Sequence, residues 1–174
     1  MAQFTDMPLG FIPVQIIDVT AGAGAARPNN RADVLLVQFA LNKIMAAPNG
    51  RGELPDVSKP RVPGPLGSTF QPLAPLVVDG IFGKKTLAAI KAYQGVSIGG
   101  GPTLVIDGGV DPVHTFLATA SSDPISGRTL NVMTKVGRFT MFKLNADILK
   151  LYGKVLQETE LPPEVQTSLR KRRS

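Results

Sequence analysis

The sequence predicts a mainly α-helical domain with extensions at both ends. Apolar residues recur at three- to four-residue spacing in segments that begin near residues 31, 84 and 139, a period typical of amphipathic helices. Fifteen Pro and 18 Gly residues lie mostly between these segments, which indicates extensive loops. A length of 174 residues fits one domain with arms, and 43% hydrophobic against 18% charged residues indicates a folded chain.

Composition excludes several classes of function. The chain has no Cys, so disulfides, thiolate metal sites and a Cys nucleophile are excluded. Its single His, His114, argues against most metal sites and most His-based catalysis. The net charge of +6 is concentrated in 170–173, and the rest of the chain is nearly neutral, so a broad nucleic-acid-binding face is not expected. We expect a protein that is not an enzyme and needs no metal or cofactor.

The chain carries no signal for membranes or for classical export. No apolar run reaches the 18 residues of a membrane helix. The N-terminus lacks the basic region and the uninterrupted apolar stretch of a Sec-type signal. We therefore expect synthesis in the cytoplasm, with action at the cell wall, in the periplasm or in a particle only after delivery by lysis or a secretion machine.

Residues 1–29 are predicted to form an N-terminal arm. Its part from 11 to 20 is rich in β-branched residues, which favours a strand, whereas the AGAGAA segment lacks the third Gly of a dinucleotide-binding loop. A helix is expected after Asn30, with Asn30 as N-cap and Asp33 favourably placed in the first turn. Pro48 ends this helix.

The segment 48–75 contains seven prolines and is not expected to form regular structure. Loops of this length are uncommon inside compact domains and are often functional. Two interpretations stay open: a mobile or ligand-binding loop, and a tolerated surface insertion.

A weak internal repeat follows the Pro-rich segment. The sequence Leu76–Gly80 (LVVDG) recurs as Leu104–Gly108 (LVIDG), 28 residues later. Each copy ends in an Asp-Gly turn signal, and each precedes an expected helix, over 84–94 and over 112–120.

Residues 121–174 are predicted to be a C-terminal helical extension with a basic tail. The segment 139–158 reads as an amphipathic helix, with Lys143 and Asp147 on its polar side. A last short helix is expected over 164–173. The basic end is either a solvated terminus or an attachment point for an anionic polymer, lipid or nucleic acid.

The segments around the repeat resemble the three-helix peptidoglycan-binding domain, a non-catalytic module of bacterial and phage cell-wall hydrolases. The resemblance covers about 30–120 and is strongest from 79 to 94. The third matching element departs from the family pattern at Asp111 and His114. The matching residues are Val34, Val37, Gln38 and Leu41; Asp79, Gly80, Phe82, Gly83, Thr86, Ala89, Ile90, Tyr93 and Gln94; and Asp107, Gly108, Val110 and Pro112.

The resemblance implies a three-helix bundle with Asp-Gly turns and a shallow groove for a wall fragment of glycan and stem peptide. Candidate glycan partners near the matched elements are Gln38, Asn42, Tyr93 and Gln94, while Lys84 and Lys85 are candidates for a peptide carboxylate.

The remaining matched residues are expected to build the turns. Gly80 and Gly83 would permit unusual backbone dihedrals, and Asp79 would accept backbone N–H groups of its turn. The Phe82 side chain would pack in the core, and Thr86 would form a hydrogen bond at the start of its own helix. Asp107 and Gly108 would form the second turn.

Two functions follow from these features. The first is non-catalytic binding of peptidoglycan, within a phage particle or an injection-type assembly. The second is an adaptor that uses the same scaffold for protein contacts, with a partner bound through 1–28 and 139–158; the oligomeric state is left open. A hydrolase is not expected, and the acidic pair in 107–111 lacks the ligand spacing of a calcium loop.

Overall fold

The computed structural model describes residues 2–9, 12–48, 51–56, 58–64, 67–96, 104–113 and 140–173. Within these residues the helices are α1 (Arg31–Met45), α2 (Lys84–Gly95), α3 (Thr140–Tyr152) and α4 (Pro163–Arg173), with a 3₁₀ turn at Glu158–Glu160. The strands are β1 (Ala2–Leu9), β2 (Ile12–Val19), β3 (Ala23–Gly24), β4 (Val62–Gly64), β5 (Gly67–Thr69) and β6 (Gly109–Val110).

The strands pair as three antiparallel two-stranded sheets. The longest is the β1–β2 hairpin, whose register runs from Ala2 opposite Val19 to Leu9 opposite Ile12. The short strand β3 pairs with β6, which joins the arm to the end of the second repeat. Strands β4 and β5 form a small hairpin inside the Pro-rich segment.

The prediction of a mainly α three-helix bundle is wrong, because the fold is mixed α/β. The sequence pattern indicated a strand over 11–20 but gave no sign of its partner strand. That strand, β1, contains Pro8, and its polar and apolar residues do not alternate regularly. The β1–β2 hairpin belongs to the core: Ala2, Ile16, Ile17 and Val19 are fully buried. The third helix expected over 112–120 lies almost entirely outside the described residues.

One hydrophobic core joins the arm, the repeat segments and the C-terminal part. Helix α1 is its centre, with Val34, Leu41 and Ile44 inaccessible to solvent, and it contacts α2, α3 and α4. Helix α3 packs on α1 and β2 through Met141 and Leu144. We expected the apolar face of 139–158 to bind a partner protein. In the structure this face lies inside the protein.

Helices α1, α2 and α4 begin within a residue of the predicted positions, but the helix expected over 139–158 is wrong in length, because α3 ends at Tyr152 before Gly153 with φ +70°. Two further details differ. Asn30 occupies the N-cap position of α1 without forming a side-chain cap bond. Asp33 instead accepts hydrogen bonds from the Thr20 hydroxyl and from the backbone N–H groups of Thr20 and Ala21, so it ties the arm to α1. Lys143 and Asp147, expected on a solvated face, are buried.

The Pro-rich segment is more ordered than its composition indicated. Besides the β4–β5 hairpin, an isolated bridge joins Pro55 to Pro72, and the N–H of Leu73 donates to the carbonyl of Leu54. Leu54 is itself buried in the core. The expectation that no regular structure forms between 48 and 75 is wrong for these short strands, because each strand finds its pairing partner within the same Pro-rich segment.

Candidate functional site

The first Asp-Gly turn, Asp79–Gly80, is held by a glutamine from α1. The Gln38 amide nitrogen donates to the Asp79 carboxylate (3.0 Å), the Ile81 carbonyl (3.2 Å) and the Thr86 hydroxyl oxygen (3.2 Å). Its amide oxygen accepts the N–H groups of Asp79 (3.1 Å) and Gly80 (2.9 Å). The turn closes on itself because the N–H of Ile81 donates to the Asp79 carboxylate (2.9 Å).

The second Asp-Gly turn, Asp107–Gly108, is held in the same way by a glutamine from α2. The Gln94 amide nitrogen donates to the Asp107 carboxylate (2.8 Å), the Gly109 carbonyl (2.9 Å) and the Thr140 hydroxyl oxygen (3.0 Å). Its amide oxygen accepts the N–H of Gly108 (2.8 Å). The N–H of Gly109 donates to the Asp107 carboxylate (2.8 Å), as Ile81 does in the first turn.

The sequence repeat therefore corresponds to a repeated hydrogen-bonding pattern, in which a Gln amide holds an Asp-Gly turn and a Thr hydroxyl. Both glycines adopt a left-handed backbone, with φ of +72° at Gly80 and +75° at Gly108, as expected for such turns. The prediction for Gly83 is wrong: it is the extended N-cap of α2 with φ −125°, and no atom lies within 4 Å of the position of an added Cβ. Thr86 receives a hydrogen bond from Gln38, whereas we expected a bond to its own helix start.

Four of the six candidate ligand residues use their polar atoms within the protein. Gln38 and Gln94 are only 2% and 1% exposed, and their amides hold the two turns. Asn42 exchanges two 2.8 Å hydrogen bonds with the backbone of Leu76. Tyr93 is fully buried. These contacts fix the segment 76–81 and the second turn against α1 and α2.

A buried polar cluster surrounds Tyr93. Its hydroxyl donates to the Asp147 carboxylate (2.7 Å), and Lys143 forms an ion pair with the same oxygen (2.5 Å). The Lys143 ammonium also lies 5.1 Å from the centre of the Tyr93 ring. Burial and the neighbouring Asp147 raise the pKa of Tyr93 well above its ordinary value. The i,i+4 spacing of Lys143 and Asp147 was the available sequence signal, but their burial was not predictable from it.

The remaining candidates, Lys84 and Lys85, lie on the exposed outer face of α2. This face continues through Ala88, Lys91 and Gly95, at the spacing of one helical stripe. Helix α2 contains no acidic residue, so its outer face carries three positive charges.

Exposed aliphatic side chains lie at both ends of this outer face. Ile81, 63% exposed, precedes the first turn of α2 by three residues. At the other end, Ile106 is 58% exposed, and its Cδ1 lies 3.5 Å from the position of a Cβ added at Gly95. Val77 and Val105 are exposed at equivalent positions of the two repeats, two residues before each Asp. We call this stripe with its two aliphatic ends the α2 face.

Hydrogen bonds at the first turn keep the Asp79 carboxylate ionised. The N–H of Ile81 and the Gln38 amide hold the pKa of Asp79 below its usual range, so this carboxylate stays ionised at neutral pH. Phe82 packs partly buried against the core. Across the described ranges, no group of three or more His, Cys, Asp and Glu side chains lies close enough to hold a metal. His114 is outside those ranges.

The structure agrees with the expectation that the chain has no membrane-spanning helix, within the described residues. In the part of the chain that the structure describes, no helix combines the length and the apolarity needed to cross a bilayer. Comparison with models of protein families, with curated proteins and with solved structures finds no match for this chain.

Proposed function

We propose that this protein is a non-catalytic module that binds bacterial cell-wall peptidoglycan, and that the α2 face contacts the stem peptide. The observation that carries the proposal is the chemistry of this face: three exposed lysines without an acidic residue, between exposed aliphatic side chains. Stem peptides carry free carboxylates and small aliphatic side chains, which complement such a surface.

The position of the lysines supports a bound anion. Lys84 and Lys85 occupy the first turn of α2, where no acidic residue balances them. Cations at a helix N-terminus are unfavourable, each by about 0.3–1 kcal/mol, because the helix dipole is positive there. A carboxylate docked at this end of α2 would interact favourably with both lysines and with the helix terminus.

The available aromatic residues favour the peptide over the glycan. The chain has no Trp and only two Tyr, and Tyr93 is buried. Phe70 is exposed on the Pro-rich excursion, but the Arg61 guanidinium stacks over its ring at 4.3 Å. The α2 face itself offers no aromatic side chain. A sugar ring would lack the stacking platform that commonly supports carbohydrate binding, whereas a peptide needs none.

Sedimentation with insoluble peptidoglycan tests the proposal. We expect the wild-type protein to pellet with the wall material at moderate salt, and the variant Lys84→Glu/Lys85→Glu to lose at least tenfold in affinity. The matched control is Arg51→Glu/Lys59→Glu, which removes two exposed cations outside α2 and changes the net charge equally. Equal loss in both variants would indicate general charge attraction, and no retention of the wild type would contradict wall binding.

The adaptor function is a second candidate, favoured by the four exposed aliphatic residues. Val77, Ile81, Val105 and Ile106 are each more than half exposed. Such side chains, next to lysines, also fit an acidic protein segment with aliphatic residues. If the wild type is not retained by peptidoglycan, a native pulldown should yield a partner that Ile81→Ser/Ile106→Ser loses. No partner, with a monomer in light scattering, would contradict this function.

A further inference from the structure

A second concave surface lies between the N-terminal end of α1 and one face of α4. It is a cleft of about 850 Å³, and no residue of α2 lines it. Seven of its ten lining residues have polar side chains. The lining includes Asn30, Arg31, Ala32, Glu164, Ser168 and Lys171.

The N-terminal end of α1 supplies backbone donors to this cleft. The first N–H groups of an α-helix have no acceptor within the helix. Asn30, at the N-cap, makes no side-chain cap bond that would occupy one of them. Arg31 and Ala32, the first two residues of the helix, both line the cleft. Such helix ends attract anions because the N–H groups and the helix dipole act together.

Ser168 provides an independent indication of a ligand. This residue of α4 lines the cleft, is 94% buried, and has a hydroxyl without any hydrogen-bond partner. Helical hydroxyls commonly donate to the carbonyl one turn earlier. The neighbouring Thr167 does so, donating to Pro163 (2.9 Å), but Ser168 does not. A buried hydroxyl without a partner is destabilising, and an acceptor bound in the cleft would satisfy it.

The charges around the cleft favour an anion. Arg31 and Lys171 line it, against the single carboxylate of Glu164, with which Arg31 pairs at 2.8 Å. Both partners of that pair are more than half exposed, so the pair is weak and Arg31 can turn to a ligand. The nearby Asp33 carboxylate is engaged by the Thr20 hydroxyl and by the N–H groups of Thr20 and Ala21.

We infer that this cleft binds an oxyanion, a phosphate or carboxylate group, through the N–H groups of Arg31 and Ala32, the Arg31 guanidinium and the Ser168 hydroxyl. This inference is independent of the proposed function, because it involves neither the α2 face nor the wall.

An NMR titration of the full-length protein tests the inference. Sodium phosphate and sodium acetate are added separately, with sodium chloride at equal ionic strength as the reference. We expect saturable shifts of the Arg31 and Ala32 amide signals with phosphate or acetate, and the tighter of the two identifies the group preferred. Ser168→Ala, which keeps the helix and removes only the hydroxyl, should weaken binding at least tenfold. Arg31→Gln should weaken it similarly.

Thr167→Ala is the matched control, because its hydroxyl already donates to Pro163 and should contribute little. Its affinity should stay within twofold of the wild type. The inference is overturned if neither anion shifts these amides more than chloride does. It is also overturned if Ser168→Ala binds as tightly as the wild type, since the N-terminal end of α1 alone would then explain the shifts.

Discussion

The two Asp-Gly turns share most of their hydrogen bonds but depend on different parts of the chain. In the first turn the accepting threonine is Thr86, seven residues beyond Asp79, at the start of the helix that follows. In the second turn it is Thr140, which comes from α3, 33 residues beyond Asp107. The threonine of the first turn therefore comes from the helix that follows it, whereas the second turn requires the C-terminal part of the chain. The glutamines show the opposite order, since Gln38 lies 41 residues from Asp79 and Gln94 lies only 13 residues from Asp107.

The N-terminal arm increases this difference. Arg27 forms an ion pair with Asp111 (2.5 Å) and a longer one with Asp107 (3.3 Å). Strand β3 pairs with β6 beside the same turn. The second turn thus connects the arm, α2 and α3, and a repeat in sequence does not mean an equal role in stability. Substitutions at both turns test this difference.

The largest effect is expected from the glutamines. Gln94→Ala leaves the buried N–H of Gly108 without its acceptor, while the Gly109 carbonyl keeps the hydrogen bond from the Thr140 hydroxyl (3.2 Å). We expect it to lower the free energy of unfolding by roughly 3–5 kcal/mol, since the unsatisfied N–H costs about 1–3 kcal/mol and each of the three other lost hydrogen bonds about 0.5–1.5 kcal/mol. Gln38→Ala should cost less, about 2–3 kcal/mol, because Ile81 and Asp79 are more exposed. Urea unfolding measures both, and an equal or larger loss in Gln38→Ala would contradict the comparison.

The turn glycines should give the next largest effect. Gly80→Ala and Gly108→Ala force an L residue into the left-handed region, at a cost of about 1–2 kcal/mol. An added Cβ at Gly80 would also lie 2.7 Å from the Arg31 side chain, and at Gly108 2.5 Å from the Leu87 side chain. Gly83→Ala is the matched control, because its position is extended and open. If that control destabilises the protein as much, backbone conformation is not the cause.

Tyr93→Phe tests how α2 is fixed to α3. Loss of the hydrogen bond to the Asp147 carboxylate should cost about 1.5–3 kcal/mol at neutral pH, as for bonds to charged groups. The raised pKa of Tyr93 also predicts a pH effect. The folded state holds the phenol proton more tightly, so this stability is complete below the unfolded pKa of about 10 and is lost as the pH rises above it.

The pH effect separates Tyr93 from general alkaline unfolding. The wild type should lose stability above about pH 10 more steeply than Tyr93→Phe. Tyr152→Phe gives the comparison for this slope: burial also raises the pKa of Tyr152, but less than that of Tyr93, so its loss should flatten the slope less. An identical alkaline slope in wild type and Tyr93→Phe, followed by circular dichroism, would show that Tyr93 does not titrate with unfolding.

The smallest effect is expected from the arm's ion pairs. Arg27→Ala removes the link to Asp107 and Asp111 and should cost about 1 kcal/mol, because these groups are partly exposed. Arg31→Ala removes a pair with Glu164 in which both partners are more than half exposed, and should have a smaller effect than Arg27→Ala. Thermal unfolding compares them, and a larger effect at Arg31 would contradict the role of Arg27 at the second turn.

The distinction between local and distant partners also explains which features the sequence could predict. Helix α2 and the position of the first turn were predictable, because the Asp-Gly pair and the helical period are local signals. The hydrogen bonds of Gln38 to this turn, 41 residues away, were not predicted. The pairing of β1 with β2, the hydrogen bond from Gln94 to Thr140 and the burial of Lys143 were not. Each depends on a partner distant in the sequence or on the packing of α3 against the core.

The candidate site was predictable only in part, for a related reason. Matching residues such as Gln38 and Gln94 are polar and lie near the turns, so a sequence pattern cannot separate a ligand contact from an internal bond. The structure assigns their amides to the turns. Lys84 and Lys85 stay as predicted contacts, and the exposed aliphatic residues beside them were not singled out in the sequence.

Chemical-shift mapping with a soluble peptidoglycan fragment that carries the stem peptide tests whether the α2 face binds the cell wall. We expect saturable shifts at the amides of Lys84, Lys85 and Ala88, with the side-chain amide signals of Gln38 and Gln94 unchanged. Shifts of those two side-chain amides, with none along α2, would show that the turns open to bind the ligand. The absence of any shift at saturating fragment would contradict wall binding by this face.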